Sequence, residues 1–448
     1  MRRLALVLSA FAIASIANAL PVKVSNGLCV HQSGRELVQA SAATQEAYLN
    51  ALVATGWKIL HTDFTWQLIE PSPGQFDFGA YDALMQRIET AGLKVIGVLD
   101  YGNPWAAAGA TDDRTPPTDP ATFATFAGAV AAHYKGRISL WEVWDEPNRA
   151  DGSTWRPAPN PAQYAALFAA AARAIHKADK KVQIITGGLV PGDQGDASTP
   201  ATDDAHKFWG FLNKAFGPKK KQRRLAKRAK GAALHPVVLN GTGAPELSTT
   251  LTELSLSEQL FRFTDRTFAA KLTRLDPYIS SIGWRTGASG VSEAEQAAFL
   301  VRAATLGLAQ DAQRFCWSHL ADGDEAFGLY RRGGDGTLTA KPAVAAASTF
   351  ATLLADTSFL ADLTEELGLA QGTRAICFQS GKQTVILFWS LTEGRTFTYD
   401  SIRTGITGVR LVDINGTTTE LARNAAGKWD PVVMTLGAAP IYLITDGL

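Results

Sequence analysis

A repeated alternation of short β-rich segments with longer helical segments constrains the fold of this chain more than any other feature. From residue 25 onward eight such pairs follow one another, with helical patterns such as residues 81–91, 164–178 and 293–308. Eight strand–helix units in one stretch predict an α/β fold with a (β/α)₈ barrel rather than an open doubly wound sheet. The predicted strands are residues 27–32, 58–64, 94–101, 138–144, 182–186, 232–236, 278–284 and 314–319.

The C-terminal part of the chain has a different pattern. Residues 375–379, 383–389, 409–414 and 441–444 are β-rich and are separated by turns, and Ser380-Gly381 and Asn415-Gly416 are typical of hairpins. The sequence therefore predicts a barrel over residues 20–356 and a C-terminal antiparallel β-sandwich over residues 357–448.

The first nineteen residues have the pattern of a signal peptide. Arg2 and Arg3 precede an apolar run over residues 4–16, and Ala17-Asn18-Ala19 has the form of a cleavage site. The apolar run is shorter than the roughly 20 residues that span a bilayer. We expect an exported protein, periplasmic or extracellular, without a transmembrane segment.

Net charge, cysteine count and the absence of common motifs exclude several classes of function. A formal net charge of +1 gives no overall field that would attract nucleic acid. Three cysteines, Cys29, Cys316 and Cys377, are too few for a disulfide framework and are not spaced as zinc ligands. The sequence lacks the phosphate-loop, dinucleotide-binding and H-E-x-x-H motifs. We therefore expect no disulfide cross-link, no metal and no cofactor.

One segment is strongly basic. Residues 214–230 contain nine Lys or Arg and no acidic residue, and the run over residues 218–230 has no aromatic residue to stack on bases. The segment is either a solvated surface or a contact for an acidic polysaccharide or the anionic cell envelope. The second interpretation depends on Lys219, Lys220, Lys221, Arg223 and Arg224.

Active sites of (β/α)₈ barrels lie at the C-terminal ends of the strands. The fourth predicted strand ends in Trp141-Glu-Val-Trp-Asp-Glu-Pro-Asn148, which places Glu146 just past the strand. Burial beside aromatic surface raises the pKa of a carboxyl group, as a general acid requires. The alternative is an exposed loop glutamate with no catalytic role.

Other strand ends carry aromatic and polar residues. Together the aromatic residues predict stacking platforms for the apolar faces of sugar rings. The predicted platforms are Trp66, Tyr101, Trp105, Trp284 and Trp317, and the predicted polar contacts are Asp63, Asn103, Asp145, His235 and His319.

The motif around Glu146 resembles the Trp-Asn-Glu-Pro motif of clan A glycoside hydrolases, and its neighbourhood resembles family 39-like bacterial polysaccharide hydrolases. The resemblance runs from about residue 50 into the C-terminal domain. It implies that Glu146 is the acid/base of a glycosidase and that the ligand is a polysaccharide or oligosaccharide. The residues that carry it include Thr62-Asp63, Trp66, Glu70-Pro71, Gly74, Asp100-Tyr101-Gly102-Asn103, His235-Pro236, Gln296 and Lys341-Pro342.

Two positions depart from the family pattern. Asp145 stands where the family has an asparagine that binds the sugar 2-hydroxyl, and a carboxylate cannot donate a hydrogen bond unless it is protonated. Ser281 stands where the resemblance implies the nucleophilic glutamate, two residues before Gly283-Trp284. Because a retaining hydrolase needs two carboxyl groups, double displacement is expected to be severely impaired.

Three alternatives remain open. Glu253, in Leu251-Thr-Glu-Leu254, is an alternative nucleophile, although the elements after Ser281 follow it at the spacing of the last barrel units and leave Glu253 one helix too early. A water activated by Asp145 or by another carboxylate would give inversion instead. The third alternative is a non-catalytic carbohydrate-binding pseudoenzyme of the cell envelope.

Overall fold

The computed structural model describes residues 22–149, 151–191, 208–217, 227–238, 241–248, 254–269, 275–381, 383–402 and 404–447. Three predictions from the sequence lie outside these residues. They concern the signal peptide, the alternative nucleophile Glu253, and the basic residues Lys219, Lys220, Lys221, Arg223 and Arg224.

Eight parallel strands close into a barrel in which each strand pairs with the next and β8 pairs with β1. The predicted barrel is confirmed, and each predicted strand overlaps an observed one. The strands are β1 (Leu28–His31), β2 (Ile59–Thr65), β3 (Lys94–Asp100), β4 (Leu140–Asp145), β5 (Gln183–Gly188), β6 (Gly231–Leu234), β7 (Asp276–Ile282) and β8 (Phe315–Trp317).

Helices cross over between the strands and cover the outside of the barrel. Their apolar residues pack against the outward-facing strand residues in one large core. The helices are α1 (Val24–Gly27), α2 (Gly34–Gln39), α3 (Ala42–Ala54), α4 (Trp66–Ile69), α5 (Gly79–Thr90), α6 (Pro120–His133), α7 (Pro161–Ala178), α8 (Phe208–Phe216), α9 (Leu256–Ala269), α10 (Glu293–Ala309) and α11 (Pro342–Leu354), with a 3₁₀ turn at Pro104–Ala106.

The lower interior of the barrel is filled by one layer of side chains, one from each strand. This layer forms a cluster separate from the core under the helices, as expected when alternate strand residues point inward. It consists of Cys29, Ile59, Ile96, Leu140, Ile185, Ala233, Tyr278 and Cys316.

Two members of this layer form a disulfide, so the expectation of a fold without disulfides is wrong. Cys29 and Cys316 are direct partners in the β1–β8 pairing, and they are joined although 287 positions separate them in the sequence. Cysteine counting missed the bond because barrel closure, rather than sequence spacing, brings the two strands together. The cross-link ties the first strand of the barrel to the last.

The C-terminal part contains an antiparallel six-stranded sheet, in the order β11-β12-β13-β18-β15-β16, and a two-stranded sheet, β14-β17. The predicted antiparallel sandwich is confirmed. A short hairpin, β9 (Tyr330–Arg332) with β10 (Leu338–Ala340), precedes α11. The C-terminal strands are β11 (Ser358–Asp362), β12 (Thr373–Ser380), β13 (Gln383–Ser390), β14 (Arg395–Tyr399), β15 (Gly408–Val412), β16 (Thr418–Glu420), β17 (Val432–Leu436) and β18 (Ile441–Asp446).

The central strands of the six-stranded sheet, β12, β13 and β18, are buried on both faces. In β12, Ile376 and Phe378 belong to the core shared with the barrel, whereas Ala375 and Cys377 belong to a second core with β14 and β17. This alternation follows from the two-residue period of a strand. The sheet is therefore a middle layer that fixes the C-terminal part against the barrel helices.

Among the described residues, no helix is both long enough and apolar enough to cross a bilayer.

Replacing both Cys29 and Cys316 with Ala is expected to destabilise the barrel. A cross-link across 287 positions contributes at most about 5 kcal/mol to the free energy of unfolding by restricting the unfolded chain. Thermal unfolding with and without a thiol reductant checks this. Reduced wild type should unfold at the temperature of the double variant, and the variant should not respond to the reductant. A fully reduced wild type with an unchanged midpoint would contradict the assignment.

Candidate active site

The chain bends sharply at the end of β4. Trp144 and Glu146 have φ values of 69° and 46°, a region that residues other than glycine seldom occupy. Thr154 holds the bend, because its carbonyl accepts the Trp144 indole N–H at 2.9 Å and its hydroxyl donates to the Glu146 carbonyl at 2.7 Å. Strain of this kind is concentrated at functional sites.

Two cations hold the carboxylate of Glu146. His235 Nδ1 lies 3.0 Å from Oε1, Arg149 Nη2 donates to Oε1 at 2.7 Å, and Arg149 Nε donates to Oε2. Burial raises the pKa of Glu146, but these hydrogen bonds outweigh burial and lower the pKa to about 2. The expectation of a raised pKa is therefore wrong, because Arg149 lies within reach of the carboxylate.

His235 is the central residue of the site. Its Nε2 lies 3.1 Å from Ser280 Oγ, on the opposite side of the ring from Glu146. Burial lowers the pKa of His235, but the hydrogen bond to Glu146 and the charges of the surrounding carboxylates raise it to about 9. At neutral pH the ring is an imidazolium that donates from both nitrogens. Gly188 leaves room for the ring, since a Cβ there would lie 2.1 Å from Nε2.

Glu142 lies inside the barrel with no exposed surface. Its Oε2 is 2.9 Å from His61 Nε2, and its Oε1 accepts from the Ser280 hydroxyl at 3.4 Å. Burial raises the pKa of Glu142 to about 8 and lowers the pKa of His61 to about 4. The two groups therefore form a neutral pair at pH 7. One arrangement of protons satisfies both hydrogen bonds of His61. Glu142 donates to His61 Nε2, and His61 Nδ1 donates to His31 Nδ1 at 3.1 Å.

Two successive contacts, from Ser280 to His235 and from His235 to Glu146, resemble the hydrogen bonds of a nucleophile, a base and its orienting carboxylate. Two observations argue against nucleophilic chemistry. The ring of His235 is already protonated at neutral pH, so it cannot accept the serine proton. Ser280 is only 2% exposed. We interpret these two contacts as structural hydrogen bonds that fix the position of His235.

The Asp145 carboxyl group has fewer hydrogen-bond partners among the described residues than that of Glu146. Its Oδ2 accepts the Tyr101 hydroxyl at 2.9 Å, and its Oδ1 lies 3.7 Å from His235 Nε2, beyond hydrogen-bonding distance. The side chain is 25% exposed, compared with 14% for Glu146. Burial and the charge of Glu146 raise the pKa of Asp145 to about 6.

Strand β7 contains a bulge beside the cluster. Ile279 pairs with Phe315 and Ile282 pairs with Trp317, so Ser280 and Ser281 lie opposite the single residue Cys316. Ser280 contacts both His235 and Glu142, whereas Ser281 is half-buried in the bulge. The hydroxyl of β7 that reaches the cluster therefore belongs to the residue before Ser281.

Three of the predicted stacking platforms are core residues. Trp66 and Trp317 are fully buried and Trp284 is 1% exposed, so none of them presents a ring face to a sugar. Their interpretation as platforms is wrong. The indole N–H groups of Trp284 and Trp317 donate to the carbonyls of Gly243 and Phe327, which anchors the loops after the strands.

A second group of predicted residues supports the loop after β2. Trp66 Nε1 donates to the Glu70 carboxylate at 2.7 Å, and Asn103 and Trp105 both donate to the Glu70 carbonyl. Asp63 accepts the backbone N–H groups that begin α2. Of these residues, Trp105 is half-buried at the edge of the core and the others are buried.

The remaining predicted residues lie at the mouth of the barrel. Tyr101 contacts Asp145, and the guanidinium of Arg114 lies 3.9 Å from the centre of its ring. His319 is exposed and stacks with Phe327 at 6.0 Å between ring centroids. Of the predicted residues, the structure thus brings together Tyr101, Asp145, Glu146 and His235.

Sequence reasoning missed Glu142, Ser280, His61 and Arg149. Glu142 follows the inward-facing Leu140 by two residues, so strand periodicity already indicated its position. Arg149 lies three residues after Glu146, close enough to form an ion pair. His61 and Ser280 had no local signal, because only barrel closure brings them to Glu142.

Glu142, Asp145 and His235 each place one potential ligand atom within 4.8 Å of the others. At neutral pH, however, His235 presents N–H groups and Glu142 presents an O–H, since their pKa values are raised. We therefore describe the three as a cluster of polar side chains, in which the hydroxyl of Ser280 links His235 to Glu142. The sequence-based expectation of no metal stays a prediction.

Comparisons with known proteins place the fold among glycoside hydrolases. The β-galactosidase model of glycoside hydrolase family 42 matches residues 39–100. A family 39 glycoside hydrolase from Bacteroides cellulosilyticus WH2 has a TM-score of 0.71 and 20% identity, covering 95% of this chain and 82% of that one. The resemblance to clan A glycoside hydrolases is confirmed at the level of the fold.

Two further structures match over nearly their whole length. A monomeric β-xylosidase from Caulobacter crescentus CB15 has a TM-score of 0.63 and 13% identity, with 96% and 98% of the two chains covered. A conserved exported protein from Bacteroides fragilis has a TM-score of 0.66 and 11% identity, with 95% and 98% covered. No curated protein sequence matches the chain.

Glu142→Gln is expected to reduce the loss of stability that occurs as the pH rises from about 4.5 to about 8. Unfolded Glu142 releases its proton near 4.5, whereas the folded group holds it to about 8, so the folded state binds more protons in this window and stability falls as pH rises. The slope from one such group is about 1.4 kcal/mol per pH unit. Urea unfolding at pH 5 and pH 8 checks this, with the exposed Glu46→Gln as control. Equal losses in wild type and Glu142→Gln would contradict the neutral pair.

Proposed function

We propose that this chain is an exported protein with a glycoside hydrolase fold, that it binds a polysaccharide at the mouth of the barrel, and that its hydrolysis by double displacement is severely impaired. Of the two alternatives from the sequence, this favours the carbohydrate-binding pseudoenzyme over an ordinary hydrolase. The fold shared with glycosidases and the polar cluster at the strand ends support binding. The observation that carries the proposal is the contact of the Glu146 carboxylate with both His235 and Arg149.

A general acid must carry a proton at the working pH. Glu146 accepts N–H groups from His235 and Arg149, and its lowered pKa keeps it ionised across the neutral range. An ionised carboxylate cannot protonate a leaving glycosidic oxygen. Glu146 matches the acid/base position of the clan A motif, but its contacts favour a role in orienting His235.

The second requirement of double displacement is a nucleophilic carboxylate roughly 5 to 5.5 Å from the acid/base. Ser281 occupies the corresponding strand position, and Ser280 directs a hydroxyl to the cluster instead. Loss of one member of a catalytic unit costs on the order of 10⁴ to 10⁶ in rate. Both groups of the retaining pair are therefore altered.

Export is the second part of the proposal. The N-terminal signal pattern, the buried Cys29–Cys316 bond and the fold shared with an exported Bacteroides protein support it. Disulfides persist in oxidising compartments and are rare in the cytosol. The basic residues Lys219, Lys220 and Lys221, with Arg223 and Arg224, are proposed to contact an acidic polymer of the envelope.

Binding and cleavage assays test the proposed function together. Titration calorimetry with xylans, galactans and acidic polysaccharides should detect at least one complex. Aryl β-xylosides and β-galactosides, chosen because the matching proteins are named for these sugars, should release almost no product. Absence of binding across the panel would remove the proposal.

Restoring the catalytic pair should restore hydrolysis. Ser281→Glu supplies a carboxyl at the strand position, and Arg149→Gln removes one of the cations that hold Glu146 ionised. The double variant is expected to cleave aryl glycosides at least about 10²-fold faster than Ser281→Glu alone, since acid/base catalysis contributes that much. Ser289→Glu, an exposed substitution in the loop after β7, is the matched control.

Efficient cleavage by the wild type would be the opposite outcome. A wild type that cleaves at ordinary glycosidase rates and is inactivated by Glu253→Gln would contradict the proposal and identify Glu253 as the nucleophile.

A further inference from the structure

Three histidines from neighbouring strands meet at one side of the barrel mouth. Two of them, His31 at the end of β1 and His61 on β2, are direct partners in the strand pairing. Each follows an inward-facing residue, Cys29 or Ile59, by two positions. Because strand residues two apart point to the same face, both rings point into the barrel.

His319 lies on the other side of β1, just past the end of β8. The N–H of the next residue, Leu320, donates to the carbonyl of His31 at 3.0 Å, which places His319 beside His31. The centroids of the two rings are 6.0 Å apart, and the rings are nearly perpendicular, at 86°. His319 is exposed, whereas His31 is half-buried and His61 is buried. The group of three therefore opens to solvent at His319.

The distances within the group are close to those of a transition-metal site. His31 Nδ1 and His61 Nδ1 are 3.1 Å apart, and their ring centroids are 5.1 Å apart. A tetrahedral Zn²⁺ ion holds histidine nitrogens at about 2.0–2.1 Å, which puts two of them about 3.3 Å apart and their ring centroids roughly 5 Å apart. The third ring, that of His319, is about 1 Å too far from His31 by this measure. Rotation of the exposed His319 side chain removes that difference.

A buried carboxyl group contacts the second nitrogen of His61. Glu142 Oε2 lies 2.9 Å from His61 Nε2. Histidines that bind metal ions almost always donate their other N–H to a carboxylate, a carbonyl or water, which fixes the orientation of the ring. Burial also lowers the pKa of both His31 and His61, so both rings are neutral at pH 7, and the neutral ring is the form that binds a metal ion.

We propose that His31, His61 and His319 form a binding site for a divalent transition-metal ion such as Zn²⁺. The ion takes the place of the hydrogen between the two Nδ1 atoms, Glu142 passes its proton to His61 Nε2 along their hydrogen bond, and one proton is released to solvent. Three histidine ligands leave a fourth position for water. The proposal departs from the sequence-based prediction of no metal, because barrel closure, and not sequence spacing, brings the three histidines together. It does not depend on the proposed function.

Calorimetric titration of the metal-free protein with Zn²⁺ alone tests the site. Wild type is expected to bind one ion per chain. His319→Gln removes an exposed ligand and leaves the core intact, and it should weaken binding by at least the roughly 10- to 100-fold that loss of an outer-shell partner costs. His31→Gln should weaken binding at least as much. His133→Gln, which removes an exposed histidine on α6, is the matched control and should bind as wild type does.

Two further measurements locate the ion. The visible absorption of bound Co²⁺ should be the same in wild type and His133→Gln, and it should be lost or altered in both His31→Gln and His319→Gln. Zn²⁺ should also raise the midpoint of thermal unfolding of wild type and His133→Gln, since an ion that binds the folded state stabilises it. The same addition should have little effect on His31→Gln.

Two results would overturn the proposal. The first is a wild type that binds no Zn²⁺ in the titration. The second is binding that survives both His31→Gln and His319→Gln but is lost in His235→Gln, which would place the ion at the cluster of Glu142, Asp145 and His235. The sugar-binding and cleavage assays are separate from these titrations, so the proposed function stands or fails independently.

Discussion

The contact between His235 and Glu146 organises the mouth of the barrel. It joins the end of β6 to the end of β4, and the same imidazolium reaches Ser280 on β7. Three carboxyl groups surround one histidine, and their pKa values differ: burial raises the pKa of Glu142, whereas the hydrogen bonds from His235 and Arg149 lower the pKa of Glu146. The same contacts therefore set both the positions and the protonation states of the side chains at the mouth of the barrel.

The rest of the molecule keeps this cluster in place. The inner layer of one residue per strand forms the floor below it, and the Cys29–Cys316 bond ties the ends of the barrel together. Above the layer, buried tryptophans anchor the loops that carry the site. Trp284 and Trp317 donate to loop carbonyls, so their contribution to a binding site is indirect. The aromatic surface at the strand ends is therefore mainly structural.

The fold could be predicted from the sequence because its determinants are local. Strand–helix alternation predicted all eight barrel strands, and the hairpin glycines Gly381 and Gly416 adopt the positive φ that their turns require. The site was harder to predict. The position of Glu146 followed from the motif, but its pKa depends on Arg149 and on His235, which is 89 residues away in sequence. The disulfide and the contacts of His61 and Ser280 likewise depend on closure of the barrel.

In the proposed function, Glu146 is an ionised group that positions His235 rather than an acid that donates a proton. The side-chain ¹³Cδ signal of Glu146, assigned by its absence in Glu146→Gln, measures this directly in the free protein. We expect the signal to remain that of a carboxylate throughout the range above about pH 3, because the pKa is lowered to about 2. A Glu146 signal that titrates between pH 5 and pH 7 would contradict the account and restore Glu146 as a general acid.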